Sequence, residues 1–117
     1  MKKIYHLSSC NTCSRILSEL DPSDEVVLQD IKTAPLTLAQ LEAIRDLTDS
    51  YESLFSRRAQ LYRKKGLADQ VLTESDYKRL LLEHYTFLKR PVIIVDDSVF
   101  IGNSKKVVAE AKKALAS

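Results

Sequence analysis

Ile4-Tyr5-His6-Leu7-Ser8-Ser9-Cys10-Asn11-Thr12-Cys13-Ser14-Arg15-Ile16-Leu17 runs from a short apolar strand into an amphipathic helix, with a Cys-x-x-Cys pair at the joint. A helix N-terminus offers unpaired backbone amides and the positive end of the macrodipole, so a cysteine there loses its proton more easily and becomes a nucleophile. Cys10 falls at the mouth of the helix. Cys13 lies one turn further in and shares a stripe with Ile16, Leu17 and Leu20 at helical spacing. The asymmetry suggests that Cys10 attacks and Cys13 resolves.

Other readings of the pair stay open. A disulfide serving only as a staple closes so short a loop that it contributes no more than roughly 2 kcal/mol. A structural zinc site needs four ligands and the pair supplies two, while the only histidines, His6 and His84, lack the paired spacing of a zinc finger. No metal is therefore expected. Two ordinary reduced cysteines are a third reading.

The 117 residues, 44% of them apolar, suit one domain with a real core. Charge is nearly balanced, 18 basic against 16 acidic side chains, which does not point to nucleic acid or membrane as the main partner. The chain has no run of 18 apolar residues, and Met1-Lys2-Lys3 leads straight into a strand. A cytoplasmic protein is expected, a setting in which a Cys-x-x-Cys pair is more often catalytic than structural.

Working outward, Lys3–Leu7 reads as a first strand, Thr12–Leu20 as a helix and Val26–Asp30 as a second strand after the breaker Asp21-Pro22-Ser23-Asp24. That order with short joints implies a right-handed crossover and parallel pairing. Beyond Pro35 the period becomes helical. Thr37 with Gln40 forms a capping-box pattern before Leu38, Leu41, Ala43, Ile44 and Leu47. Tyr51 to Lys65 reads as one helix, with Tyr51, Leu54, Phe55, Ala59 and Tyr62 on one side and Gly66 closing it in a left-handed turn. A third helical pattern starts at Thr73 and carries Tyr77, Leu80, Leu81, His84 and Leu88, which makes His84 a core histidine. Strands return at Arg90–Val95 and Val99–Ile101, joined as a hairpin through Asp96-Asp97-Ser98. Ser104 caps a closing helix with the stripe Val107, Val108, Ala111 and Leu115.

The order describes an α/β fold: a four-stranded mixed sheet with helices packed on it. A Cys-x-x-Cys at the first strand-to-helix joint of that order resembles the thioredoxin-like, glutaredoxin-type architecture, with a helical block inserted between the second and third strands. One thioredoxin-like domain over 1–117 follows, its core at 1–34 and 88–117 and its insertion at about 35–87. Arg90-Pro91 stands just before the third strand, where thioredoxin-like proteins set a cis-proline facing the active-site thiol. An X-Pro bond is the only kind for which cis costs little, about 0.5–1 kcal/mol against trans.

Ile4-Tyr5-His6 with Cys10, Ser56-Arg57-Arg58 in a helix, Arg90-Pro91-Val92-Ile93 and the final Val99–Ser104 segment together resemble the glutaredoxin-like arsenate reductase family, which also contains Spx-type transcriptional regulators. The resemblance covers nearly the whole chain. It implies that Cys10 is the nucleophile, that His6 lies near its thiol, and that Arg90 with Arg57 or Arg58 binds an oxyanion, a role suited to a planar, permanently charged fork. Where the reductases place a third arginine this chain has Asn103, with Lys105 a poor geometric substitute. Where glutathione-dependent members use one cysteine at this loop, Cys13 adds a second, as in Spx-type proteins.

The resemblance further implies no bound cofactor, with glutathione or another thiol as reductant and glutathione or a glutaredoxin-type protein as partner. The activity expected is a thiol-dependent reductase acting on an oxyanion or a disulfide. The alternative is an Spx-type redox sensor that binds RNA polymerase. The cluster Arg57, Arg58, Arg63, Lys64 and Lys65 reads as a solvated helix face or as an attractor of anionic partners, and no aromatic platform interleaves it for nucleic acid.

Overall fold

A computed structural model describes residues 1–116; Ser117, the last residue of the expected domain, lies outside the described residues. The chain divides into two compact units. One comprises Met1–Ala34 together with the stretch from Arg90 onward, and the other Pro35–Lys89.

The first unit is built on a four-stranded sheet in the order β2-β1-β3-β4, with β1 Lys2–His6, β2 Val27–Asp30, β3 Val92–Val95 and β4 Ser98–Ile101. β1 pairs parallel with β2, as the strand-helix-strand order requires, and antiparallel with β3, which forms a hairpin with β4. Val92-Ile93-Ile94-Val95 is buried along its length, which explains why it reads as a continuous apolar run rather than an alternating one. The hairpin turn is tighter than expected. Asp96 takes the left-handed conformation at φ 54° and Ser98 already belongs to β4, so Asp96-Asp97 replaces the Asp-Gly or Asn-Gly usual in such a turn.

Helices α1 (Asn11–Leu20) and α5 (Lys105–Ala116) belong to the same unit. Ile16, Leu20, Val108 and Ala111 join Ile4, Val26, Ile93 and Val95 in one buried cluster, with Leu17, Phe100, Ala114 and Leu115 packed against it. α1 ends where Asp21 adopts φ 43° and its amide reaches the Leu17 carbonyl. α5 begins on Ser104, whose hydroxyl accepts from the Val107 amide at 3.2 Å, as its sequence position predicts.

The second unit holds α2 (Leu38–Asp46), α3 (Gln60–Lys64) and α4 (Glu74–Glu83), with 3₁₀ turns at Glu52–Leu54, Leu67–Asp69 and Tyr85–Phe87. Both α2 and α4 start in full capping boxes, Thr37 with Gln40 and Thr73 with Asp76. Leu41 and Ile44 are buried as expected, but Leu38 and Ala43 face solvent, so the inward stripe of α2 is narrower than its sequence suggests.

The expected helix from Tyr51 to Lys65 is not formed. Its first part is a 3₁₀ turn whose Tyr51 and Glu52 amides both donate to the Glu74 carboxylate, at 2.7 and 3.1 Å. Phe55 then extends and bridges to Leu88, while the Ser56 amide donates to the Phe87 carbonyl at 2.7 Å and the Lys89 amide to the Leu54 carbonyl at 2.8 Å. Long-range backbone bonds thus displace local helix propensity, and only Gln60–Lys64 is helical, closed by Gly66 at φ 64° as foreseen. Phe55 sits among Tyr62, Tyr77 and Phe87, with ring centroids 5.0 to 5.9 Å away.

α4 likewise stops at Glu83. His84 leaves the helix with ψ 137°, is half-buried, and pairs its Nδ1 with the Thr86 hydroxyl at 2.9 Å and the Thr86 amide at 3.1 Å. It caps the following 3₁₀ turn instead of lying on the core stripe.

The Thr37 box makes a direct test of local capping. Thr37→Ala removes the acceptor for the Gln40 amide, and urea denaturation should show a loss of about 1 kcal/mol, while Thr37→Ser stays close to the parent chain.

Candidate functional site

β1 delivers the chain to the candidate site. After His6 the backbone turns, with the Cys10 amide donating to the Leu7 carbonyl at 3.0 Å, and α1 opens at Asn11. Cys10 is the N-cap, in extended conformation at φ −95°, and its carbonyl accepts from the Ser14 amide and hydroxyl at 3.1 and 3.3 Å. Both cysteines are free thiols. Cys10 is partly exposed and Cys13 is 1% exposed, the asymmetry that their helical positions predict.

The two thiols also differ electrostatically. Burial pushes the Cys10 thiol up, but the amide and thiol of Cys13, the Arg90 charge and the Thr12 amide outweigh it, and Cys10 ends below the ordinary thiol value. Burial pushes the Cys13 thiol up, and the neighbouring Cys10 sulfur adds to that effect. The Leu7 backbone and Arg90 oppose it without cancelling it, and Cys13 ends above the ordinary value. The two thiols are thus shifted in opposite directions, Cys10 down and Cys13 up.

Arg90 is half-buried and joined by a cis peptide bond to the buried Pro91. The Pro91 carbonyl accepts from the Gly102 amide at 3.0 Å, and Gly102 takes φ 98°, a conformation that favours glycine. This bond ties the end of β4 to the cis-proline segment. Asn103 follows and is exposed, and Lys105 is the first residue of α5.

His6 ends β1 opposite Asp30 of β2. Its Nδ1 is buried without a hydrogen-bond partner among the described residues. Asp30, which the sequence reading passed over, accepts from the Ser8 amide at 3.2 Å and the Lys32 amide at 3.1 Å. The Ser8 side chain, these amides and the His6 charge hold its carboxyl below the usual range against the opposing effect of desolvation. The turn that leads to Cys10 is thus clipped to the end of β2. Only the polar residue just after an apolar strand marks this clip in the sequence, a signal too common to single it out.

Arg57 and Arg58 lie in the other unit and, against expectation, outside any helix, in the turn after Phe55. The Arg57 guanidinium donates to Glu52 at 2.6 Å and to the Tyr77 hydroxyl at 2.9 Å. The Glu52 contact raises its already high pKa, partly offset by desolvation and helped by Tyr77. The Arg58 amide donates to the Ser56 hydroxyl at 3.4 Å, and its side chain is exposed. Of the basic cluster beyond them, Lys65 is paired with Glu83 at 2.7 Å. Among the described residues no group of three or more His, Cys, Asp or Glu side chains is placed to hold a metal ion, and no helix is long and apolar enough to cross a membrane.

The global transcriptional regulator Spx of Bacillus subtilis (strain 168) is 26% identical over 104 residues, covering 87% of this chain and 79% of that protein. The arsenate reductase of Escherichia coli (strain K12) is 23% identical over 109 residues, covering 92% of this chain and 77% of that protein. Among solved structures, the arsenate reductase from Vibrio cholerae superposes with a TM-score of 0.72 at 19% identity, over 94% of this chain and 96% of that one. At that identity the likeness speaks for the fold, which is α/β and thioredoxin-like. The family model described as "ArsC family" matches residues 5–111, a span that holds both cysteines, all of the helical unit, most of the sheet unit and the Arg90-Pro91 step, and the chain therefore belongs to the ArsC family.

Proposed function

We propose that this chain is a thiol-dependent oxidoreductase in which Cys10 is the nucleophile and Cys13 the resolving thiol. The observation that carries the reading is the split between the two sulfurs: Cys10 is partly exposed with its pKa lowered, and Cys13 is buried with its pKa raised. On a disulfide, the Cys10 thiolate attacks one sulfur, forms a mixed disulfide and releases the other sulfur as a thiolate, which takes up a proton. Cys13 then gives up its proton and attacks the Cys10 sulfur, closing an internal disulfide and freeing the second half of the substrate. Glutathione or a glutaredoxin-type dithiol returns the pair to the reduced state and is itself oxidised. On an arsenate-like oxyanion, Cys10 displaces a protonated oxygen to form a sulfur–arsenic bond. A second thiol then takes the sulfur, leaving arsenic reduced by two electrons and a disulfide formed.

Arg90 stabilises the anion at Cys10 in either case. Of the two arginines in the helical unit we assign the oxyanion role to Arg58, since Arg57 is already engaged by Glu52 and Tyr77. His6 and Asn103 play supporting parts, and no bound cofactor is required.

A second reading rests on Cys13. A thiol pair able to close an internal disulfide also suits a redox switch, and the Bacillus subtilis relative is a transcriptional regulator. In that reading the partner is RNA polymerase. Stoichiometric capture of polymerase by the reduced or oxidised chain, without thiol-dependent turnover, would favour the switch over the enzyme.

Iodoacetamide labelling followed by mass spectrometry should modify Cys10 first, with a pH midpoint below that of an ordinary thiol, because a lowered pKa leaves the thiolate populated at lower pH. Cys13 should lag and need higher pH. Equal labelling of both sulfurs at the ordinary thiol pH would remove the basis of the proposal.

Turnover should appear as NADPH oxidation in a glutathione–glutaredoxin coupled assay with arsenate or a small disulfide, and Cys10→Ser should abolish it. With arsenate, Arg58→Ala should lower kcat/KM by about ten-fold or more, equivalent to about 1.4 kcal/mol, without moving the denaturation midpoint. Arg57→Ala should instead cost roughly 0.5–1 kcal/mol of stability, the scale of an exposed ion pair.

A further inference from the structure

β1 and β2 run parallel, so both bring their C-terminal ends to the same end of the sheet, where the chain turns into α1. The Ile31 amide donates to the His6 carbonyl at 2.9 Å, which continues the ladder past the last paired residues and fixes Asp30 beside the segment that leaves β1. That segment is Leu7-Ser8-Ser9-Cys10, a turn closed by the Cys10 amide on the Leu7 carbonyl at 3.0 Å. Such a turn bonds its first residue to its fourth and gives the amide of its second residue no partner of its own. Asp30 supplies that partner. Its Oδ1 accepts from the Ser8 amide at 3.2 Å, and the Ser8 side chain bonds the same carboxyl.

Oδ1 also accepts from the Lys32 amide at 3.1 Å, a bond to the residue two along that aspartate makes in many turns. The Ser8 bonds are of another kind, since they join residues 22 apart and no local preference produces them. Cys10 itself is held on its carbonyl side by α1, through the Ser14 amide at 3.1 Å, and on its amide side by the turn. The freedom left to it lies in Ser8 and Ser9, and Asp30 restrains Ser8. That matters for the sulfur, because the Cys13 and Thr12 amides favour its thiolate only while Cys10 stays at the head of the helix. The Ser8 side chain comes first among the groups that keep the Asp30 carboxyl ionised, so the clip is charged throughout the range in which a thiol titrates.

We infer that Asp30 is a positioning residue for Cys10: its carboxylate, acting through Ser8, holds the turn so that the sulfur stays on the amides that open α1. The inference rests on the reading of Cys10 as the nucleophile and adds to it a residue from the neighbouring strand. Charge and position pull in opposite directions here. On charge alone a carboxylate is a poor neighbour for a thiolate, and its removal would make the thiol more acidic. Removal of the clip does the reverse, because a loosened turn lets the sulfur leave the helix amides. Asparagine separates the two effects, since it keeps an acceptor oxygen for the Ser8 amide and discards the charge.

Iodoacetamide alkylation of Cys10 across pH, read by mass spectrometry on the parent chain and its variants, tests the inference, with circular dichroism as the check on folding. Asp30→Ala should raise the Cys10 midpoint by about half a pH unit, a roughly three-fold loss of thiolate below the midpoint. Asp30→Asn should stay close to the parent. Ser8→Ala, which removes one bond from an exposed residue, should raise the midpoint by less, and it stays informative if Asp30→Ala fails to fold. A general loss of stability does not move the midpoint of a chain that is still native, so the shift reports on the position of the sulfur. A midpoint unchanged or lowered in Asp30→Ala, or lowered in Asp30→Asn, would overturn the inference. If Asp30→Ala does not fold, an unchanged midpoint in Ser8→Ala would overturn it equally. An ordinary midpoint in the parent chain would strike the nucleophile reading itself, whereas a lowered one that ignores Asp30→Ala strikes only the role of Asp30.

Discussion

The Cys10 sulfur at the head of α1, its pKa lowered, is the point on which the elements of the sheet unit converge. A charge at a helix N-terminus gains only about 0.3–1 kcal/mol at an exposed surface, and burial works against a thiolate at Cys10. The remainder comes from groups that the fold must bring in separately: the thiol of Cys13, one turn along the helix, and Arg90, from a strand entry eighty residues away in the chain. Bringing Arg90 there requires β3 to lie antiparallel beside β1, so the central pairing of Ile4 with Ile93 serves both the core and the electrostatics of the site. The turn between β1 and α1 is fixed from two sides, by the Leu7 carbonyl on the Cys10 amide and by Asp30 on the Ser8 amide.

The sheet unit was readable from the sequence because each of its elements is decided locally. β1 is a short run centred on the buried Ile4 and Tyr5, β3 is a continuous apolar run between a proline and an acidic turn, and α1 and α5 each carry a single apolar stripe. Their ends shift by one residue at most, apart from the two residues by which β3 starts late, after the cis-proline. The helical unit was less readable for the opposite reason. The stretch from Tyr51 to Lys65 has helical spacing, yet its backbone groups are claimed by Glu74, Phe87 and Leu88, residues whose positions no local pattern announces. His84 left its expected stripe for a similar reason, since a histidine followed two residues later by threonine can cap a turn with its own ring. Tyr77 was legible as a core residue, whereas its second role, holding Arg57 through its hydroxyl, was not.

The candidate site shows the same division. Cys10, Cys13 and the Arg90-Pro91 step were legible because motif and position agree. That Arg57 rather than Arg58 is engaged by neighbouring side chains was not, because it turns on a carboxylate five residues back and a tyrosine twenty residues on. Once Arg57 is held by those two partners its charge serves the helical unit, and its neighbour is left with an exposed guanidinium.

That distribution of charge bears on which arm of the proposed function the chain favours. A tetrahedral oxyanion carries its charge before any bond is broken and needs several cationic donors to hold it, ideally paired donors such as arginine supplies. This chain commits Arg57 elsewhere and places Asn103, an uncharged and exposed residue, where the resemblance leads one to look for a third arginine. A disulfide is uncharged until Cys10 attacks, and the negative charge then passes to the departing sulfur. It asks for one well-placed cation near the reacting sulfurs, and Arg90, whose charge favours the thiolate form of both Cys10 and Cys13, meets that need. The supply of positive charge and the buried second thiol therefore lean the same way, toward dithiol–disulfide exchange.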